Sequence, residues 1–174
     1  MSLTSTPKGP THMIRVALFL AFLASVVVAN WLTNRYGMVP VGFGYVATAG
    51  TYAAGLSFGL RDALHEVAGR WVVLAAIAAG AVLSAFVSPS LALASGVAFL
   101  VAETADLAVY EPLRRRRWVL AVVASNLAGA LVDTIVFLHL AGFPIRSALA
   151  GQMLGKALMV LPALLVVRWA RGRR

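Results

Sequence analysis

The sequence predicts an all-α integral membrane protein, a bundle of six transmembrane helices with the N-terminus and the C-terminus in the cytoplasm. The first observation is composition: 61% of the 174 residues are hydrophobic and 12% are charged, whereas soluble domains are about 45–50% apolar and about 25% charged. The second is that the apolar residues form six long stretches. The third is that the basic residues favour one side of these stretches, which sets an orientation.

The six stretches approach the length of about 20 mostly apolar residues that a helix needs to cross a bilayer. They are residues 14–33, 41–60, 71–88, 91–110, 118–141 and 147–167. Because irregular backbone cannot face lipid, we expect helices packed as a bundle. The chain then divides into a flexible cytoplasmic tail over 1–13, a transmembrane domain over 14–168 and a basic cytoplasmic tail over 169–174.

The basic residues define the orientation of the predicted spans. With the N-terminus inside, twelve of the 15 Lys and Arg residues fall in cytoplasmic segments and two, Arg35 and Arg146, fall in outer loops. This asymmetry satisfies the positive-inside rule and predicts a multi-pass membrane protein. The run Arg114–Arg117 is interpreted as a determinant of topology. The net charge of +9 alone would suggest nucleic acid, but in a membrane chain it marks the cytoplasmic side, so the lipid bilayer, and no nucleic acid, is the predicted partner.

Two short motifs resemble enzyme signatures without the context that their chemistry needs. Residues 55–59 read G-x-S-x-G, which acts as a nucleophile only on a strand-to-helix turn with a His partner. His65 and Glu66 begin a zinc-protease motif that no second His completes. No catalytic residue, metal site or cofactor is therefore predicted. The pairs Gly55/Gly59 and Gly151/Gly155 are interpreted as close helix contacts, within the bundle or between subunits of a homo-oligomer.

Four ionisable side chains lie within predicted spans, namely Glu103, Asp106, Asp133 and Lys156. Each costs about 2.5–3.5 kcal/mol at the bilayer centre on insertion scales, so we expect them to face the bundle interior or a wet cavity. Three acids against one base leave a formal charge of −2, which a proton or a cationic ligand would compensate. This excess favours a transporter. In the structural alternative, Lys156 pairs with Asp133 or Glu103 only to hold the bundle together, and Asp106 reaches the inner interface.

Helical spacing places other polar side chains beside these charges. In the fifth span, Asn126 and Asp133 lie on one stripe that Phe137 extends. In the sixth span, Gln152 and Lys156 are four residues apart and share a face of the helix. The spacing therefore predicts a polar interior on these two helices, at depths where the charges can meet.

The segment after the second span carries a signature. Asp62 and Glu66 are four residues apart, and spacing alone favours a surface pair between Glu66 and Arg70. With Phe58 and Gly69 they spell F-x-x-x-D-x-x-x-E-x-x-G, which resembles the signature of the VUT family, the vitamin uptake transporters that include bacterial queuosine-precursor transporters. Further matching residues follow over roughly 20–165: Asn30, Ala94–Phe99, Glu103, Asp106, Asn126, Asp133, Phe137, Lys156 and Pro162.

The resemblance implies an inner-membrane importer of 7-deazaguanine bases, such as 7-cyano-7-deazaguanine, 7-aminomethyl-7-deazaguanine or queuine, for salvage. A carboxylate, Glu103 or Asp133, would accept paired N–H bonds from the guanine-like edge. A cationic aminomethyl group would offset one of the excess acids. The implied substrate-binding residues are Glu103, Asp133, Lys156, Asn126, Asn30, Gln152, Phe99 and Phe137. Asp62, Glu66 and Asp106 are assigned to gating or structure.

The sequence does not determine the energy source of transport, and two other classes of function are alternatives to a transporter. The cytoplasmic loops are short and hold no P-loop pattern. The chain is therefore either a secondary transporter, for example a proton-coupled one, or the substrate-binding membrane subunit of an energy-coupling-factor type importer with ATPase partner subunits. A membrane enzyme would need a nucleophile–base set, which is missing. In a structural protein, neutralising the buried charges would change only stability.

Overall fold

The structure is a computed structural model that describes residues 10–114 and 116–159. Six α-helices and one β-hairpin make up this part of the chain. In chain order they are α1 (Pro10–Tyr36), β1 (Met38–Gly42), β2 (Tyr45–Thr48), α2 (Thr51–Ala68), α3 (Arg70–Ala85), α4 (Pro89–Arg114), α5 (Trp118–Leu140) and α6 (Ile145–Leu158).

The helices have the length and apolar composition of a membrane protein. Three of the described segments, His12–Tyr36, Pro89–Leu113 and Val123–Leu140, are long and apolar enough to cross a bilayer, and Arg70–Ala85 is a shorter apolar helix. Large apolar side chains such as Val123 and Leu127 stay exposed, as a surface in contact with lipid requires. These findings support the predicted all-α membrane class. The count of six spans stays a prediction, because the second half of the sixth lies outside the described residues.

The second predicted span is wrong at both ends. It was expected over 41–60, but α2 begins at Thr51 and continues to Ala68, and the residues before it form an antiparallel hairpin. The hairpin turns through Gly42, Phe43 and Gly44, all of which have positive φ. Glycine adopts that conformation without steric penalty, and the β-branched valines on either side favour extended backbone. Hydropathy alone does not distinguish such a strand from a helix.

The hairpin packs against α6, and glycines make that contact possible. A Cβ atom added at Gly151 would lie 2.0 Å from the carbonyl oxygen of Val46, and one added at Gly155 would lie 2.5 Å from the Thr51 side chain. Gly55 in turn faces the backbone of Lys156. Gly55, Gly151 and Gly155 therefore serve contacts within this chain, between α6, α2 and the hairpin.

The apolar core fills one half of the bundle. It is built from the halves of α1, α2 and α3 that lie farthest from the hairpin, together with Phe99 of α4. Its buried members are Ile14, Leu18, Phe22, Leu60, Ala63, Leu64, Val67, Val73, Ala76, Ile77 and Phe99. The candidate site lies in the half of the bundle nearer the hairpin.

Candidate functional site

A pocket opens between all six helices in the half of the bundle that carries the hairpin. It holds about 640 Å³ of empty space, including the space at its mouth. Its lining is largely apolar, with four phenylalanines and a limited set of polar side chains. The aromatic and polar lining residues are Phe22, Phe58, Phe99, Phe137, Asn30, Thr33, Thr48, Ser57, Ser95, Asp133, Gln152 and Lys156. A concave, mostly apolar cavity with a few converging polar groups is the usual form of a small-molecule site.

An ion pair between α5 and α6 forms the charged part of the pocket. Lys156 Nζ donates to Asp133 Oδ2 at 2.6 Å and to Thr134 Oγ1 at 2.7 Å. A longer bond of 3.5 Å reaches the carbonyl oxygen of Ala130. Both charged residues are buried, at 6% and 7% exposure. Because all three protons of the ammonium have acceptors, the buried lysine is fully satisfied.

Aromatic rings form the wall of the pocket beside this pair. Phe58 of α2 stacks on Phe99 of α4, with ring centroids 5.0 Å apart and planes at 21°. Phe22 of α1 meets Phe99 edge-on at 5.7 Å. Lys156 Nζ lies 5.5 Å from the centroid of Phe58, within the range of a cation–π contact. Three helices thus present ring faces and edges to one space.

A buried amide joins the hairpin end to α2 and α6. Gln152 Nε2 donates to Thr48 Oγ1 at 2.7 Å, and Gln152 Oε1 accepts a bond from Thr51 Oγ1 at 2.9 Å. Nearby, the backbone N–H of Gly50 donates to Thr33 Oγ1 at 3.2 Å. These bonds satisfy polar groups that would be costly to bury unpaired. Gln152 therefore fixes the elements around the pocket.

Asn30 brings an amide from α1 into the same pocket. Its Nδ2 donates to Ser95 Oγ on α4 at 2.9 Å, and the residue is only 2% exposed. The hydroxyl of Ser95 in turn donates a hydrogen bond to the carbonyl oxygen of Ala92 at 3.2 Å. The hydroxyl is thus committed as an acceptor for Asn30, which fixes the orientation of the amide.

A second charged cluster lies outside the pocket, toward the end of the bundle away from the hairpin. Arg61 of α2 is 4% exposed and forms ion pairs with Glu103 of α4 and, at 2.9 Å, with Asp62. Asp106, one turn beyond Glu103, packs beside Gly129 of α5. The predicted second span ends at residue 60 and left Arg61 in the cytoplasmic segment after it, but α2 continues past Arg61 to Ala68. The residues of this cluster do not line the pocket, although Arg61 Cζ lies 5.7 Å from the ring centroid of Phe58, which does.

Comparison with known proteins identifies the family. The family model described as "putative vitamin uptake transporter" matches residues 85–170. This chain belongs to the vitamin uptake transporter family. The matched region of the transporter contains α4, α5 and α6, and hence both residues of the buried ion pair. Neither the curated proteins nor the solved structures gave a match to the chain.

The transporter's pocket gathers most of the predicted substrate-binding residues. Six of the eight line it: Asn30, Phe99, Asp133, Phe137, Gln152 and Lys156. The other two do not. Glu103 pairs with Arg61, and Asn126 lies on an exposed part of α5. Of the gating or structural residues, Asp62 joins the Arg61 cluster, Asp106 lies next to it, and Glu66 is exposed near the end of α2. The roles themselves stay predictions.

Sequence reasoning missed several residues that line the pocket. Phe58 stood in the family signature but was not assigned to the site, although its ring contacts both Phe99 and Lys156. Thr48, Ser57 and Ser95 were missed because hydroxyls are common packing residues in membrane helices. Phe58 and Asp62 are four residues apart, so they share a face of the helix. This spacing is the one sequence signal that would have placed Phe58 beside a candidate functional residue.

The G-x-S-x-G motif lies in the middle of helix α2. Ser57 donates to the carbonyl oxygens of Ala53 and Ala54, at 3.1 Å and 2.8 Å. Its hydroxyl is therefore bonded to the preceding helical turn, as is usual for serine within a membrane helix. The strand-to-helix turn that a nucleophilic serine needs is not formed at this motif.

Proposed function

We propose that this transporter imports 7-deazaguanine bases, as precursors of queuosine, across the inner membrane for salvage. The observation that carries the proposal is the convergence of Asp133, Lys156 and Asn30 with stacked phenylalanines on one pocket.

The chemistry of the pocket suits a flat heterocycle with a guanine-like edge. Lys156 engages Oδ2 of Asp133, which leaves Oδ1 as an acceptor for ligand N–H groups. Asn30 uses one N–H on Ser95 and retains an amide oxygen for a second ligand donor. Phe137 and the Phe58–Phe99 stack offer apolar faces on which a planar ring can stack. A carboxylate, an amide and aromatic faces together match the donors and the shape of such a base.

The position of the pocket supports capture from outside the cell. It lies in the half of the bundle with the hairpin, whereas the apolar core and the Arg61–Glu103 pair fill the other half. In the orientation that the basic residues predict, the hairpin is external and the packed half is cytoplasmic. The pocket would then receive substrate from the outside while the cytoplasmic half stays closed.

Rescue of tRNA modification tests this proposal. A host that neither makes nor imports queuosine precursors would express the chain with limiting 7-cyano-7-deazaguanine, and queuosine in tRNA would be measured. We expect rescue by the wild type and by the exposed-site control His139→Gln, and at least a tenfold loss with Asp133→Asn. Absence of rescue by wild-type protein present in the membrane would contradict import by this chain alone. If purified protein still bound the base, a substrate-binding subunit with ATPase partners would replace the proposal.

A further inference from the structure

The charge of the pocket differs from the charge that the sequence suggested. Among the described lining residues, Asp133 and Lys156 are the only ones that carry a formal charge, and they pair with each other. The expected excess of two negative charges is therefore not in the pocket. Glu103 has its own cation in Arg61, and Asp106 lies beside Gly129 outside the lining. The pocket is formally neutral.

Neither member of the pair can easily change partners to receive a cationic ligand. Lys156 donates to three oxygens, two of them within 2.7 Å, so its ammonium is held in place beside Asp133 by the Thr134 hydroxyl and the Ala130 carbonyl as well as by the carboxylate. A cationic ligand near Asp133 would share that carboxylate with Lys156, and the ammonium of Lys156 would repel it. At low local dielectric such repulsion is stronger than in water.

The aromatic wall gives a cation no better place. Phe58 is already stacked on Phe99, and its ring has two cationic groups close to it. Lys156 Nζ lies 5.5 Å from the ring centroid and Arg61 Cζ lies 5.7 Å from it. The negative potential of the ring is thus already used by cations of the protein. A third positive charge at this wall would add repulsion.

We infer that the pocket selects a neutral planar ligand over an otherwise similar ligand with a positive charge, an inference that rests on the proposed function. Asp133 acts as an acceptor for neutral N–H groups, and Lys156 is the residue that sets the selectivity by neutralising that carboxylate. Two 7-deazaguanines form a matched pair of probes. The 7-cyano base is neutral, and the 7-aminomethyl base carries a primary amine that is protonated at pH 7, like the amine of lysine.

Calorimetric titration of the purified transporter in nanodiscs with each base at pH 7 tests the inference. The wild type is expected to bind the 7-cyano base at least tenfold more tightly than the 7-aminomethyl base. Lys156→Met should reduce or reverse that ratio, because Asp133 then has no cation. The double variant Asp133→Asn, Lys156→Met restores a neutral pocket and should restore the preference for the neutral base, which a purely structural role of the pair would not produce.

Two results would overturn the inference, and they are distinguishable from failure of the proposed function. Equal or tighter binding of the 7-aminomethyl base by the wild type contradicts charge selection but leaves import of 7-deazaguanines intact. A ratio that Lys156→Met does not change shows that the lysine does not set the selectivity. Absence of binding of both bases to folded wild-type protein contradicts the proposed function itself, and with it the inference.

Discussion

Replacing Lys156 by methionine is expected to destabilise the protein because it leaves Asp133 charged and buried without its cation. Methionine fills a similar volume with an apolar, flexible side chain, so the change removes mainly charge. In the structure the two side chains are 6% and 10% exposed and their charged atoms are 2.6 Å apart. Breaking a buried pair by removing one partner costs about 3–5 kcal/mol. That range corresponds to a factor of about 10² to 10⁴ in the unfolding equilibrium.

The complementary variants separate the charge from the packing. Asp133→Asn leaves the ammonium with the Thr134 hydroxyl and the Ala130 carbonyl oxygen, so its cost should fall at or below the lower end of that range. The double variant buries no unpaired charge, and replacing both partners of such a pair is often nearly neutral. We therefore expect it to be more stable than Lys156→Met, with a favourable coupling between the two sites of at least about 2 kcal/mol.

The assay is denaturant unfolding of the purified protein in detergent micelles, followed by the fluorescence of its four tryptophans. The free energies of unfolding of the wild type, both single variants and the double variant complete a cycle. If the double variant lost the sum of the two single losses, Asp133 and Lys156 would not interact energetically. That result would refute a stabilising pair of Asp133 and Lys156, and with it a pocket in which the two charges neutralise each other.

Three further predictions test other parts of the structure. Gly151→Ala should disrupt the contact of α6 with Val46 and lower the yield of folded protein, because the new Cβ atom would lie 2.0 Å from a carbonyl oxygen. The control Gly80→Ala, whose Cβ atom would have its nearest neighbour at 3.4 Å, should keep the wild-type yield. Equal yields of the two variants would contradict this packing. Glu103→Gln should leave the dissociation constant of the 7-cyano base within about twofold, because its carboxylate lies outside the pocket; a tenfold weakening would return that residue to the site. Gln152→Leu breaks two buried hydrogen bonds and should lower the free energy of unfolding by about 1–3 kcal/mol, and an unchanged value would show that the amide does not hold the hairpin.

Hydropathy and charge predicted most of the fold, because a membrane helix must be long, apolar and internally hydrogen-bonded. Five of the six predicted spans begin within a few residues of an observed helix. The second span failed because residues 41–48 are as apolar as a helix but extended. The glycines at 42 and 44 were the local signal of a turn, and they were outweighed by the hydropathy of their neighbours.

The periodicity of the helices predicted part of the lining of the pocket. Asp133, Gln152 and Lys156 lie on faces that spacing groups together, and the structure brings them to one pocket. The role predicted for Glu103 stays a prediction, but its side chain pairs with Arg61 and does not line the pocket, because depth along a helix does not determine which neighbour a side chain meets. Its partner, Arg61, follows the predicted end of the second span at residue 60, so the pairing between Glu103 and Arg61 depended on the unrecognised length of α2.

Uptake of labelled 7-cyano-7-deazaguanine into proteoliposomes that contain only this chain tests most directly whether the chain transports 7-deazaguanine bases by itself. We expect saturable accumulation above that of empty liposomes, competition by the unlabelled base, and a loss of at least tenfold with Asp133→Asn but not with His139→Gln. The protein must be shown to be folded and reconstituted, and uptake is measured both with and without an imposed proton gradient. Uptake no greater than in empty liposomes under both conditions would contradict import by this chain.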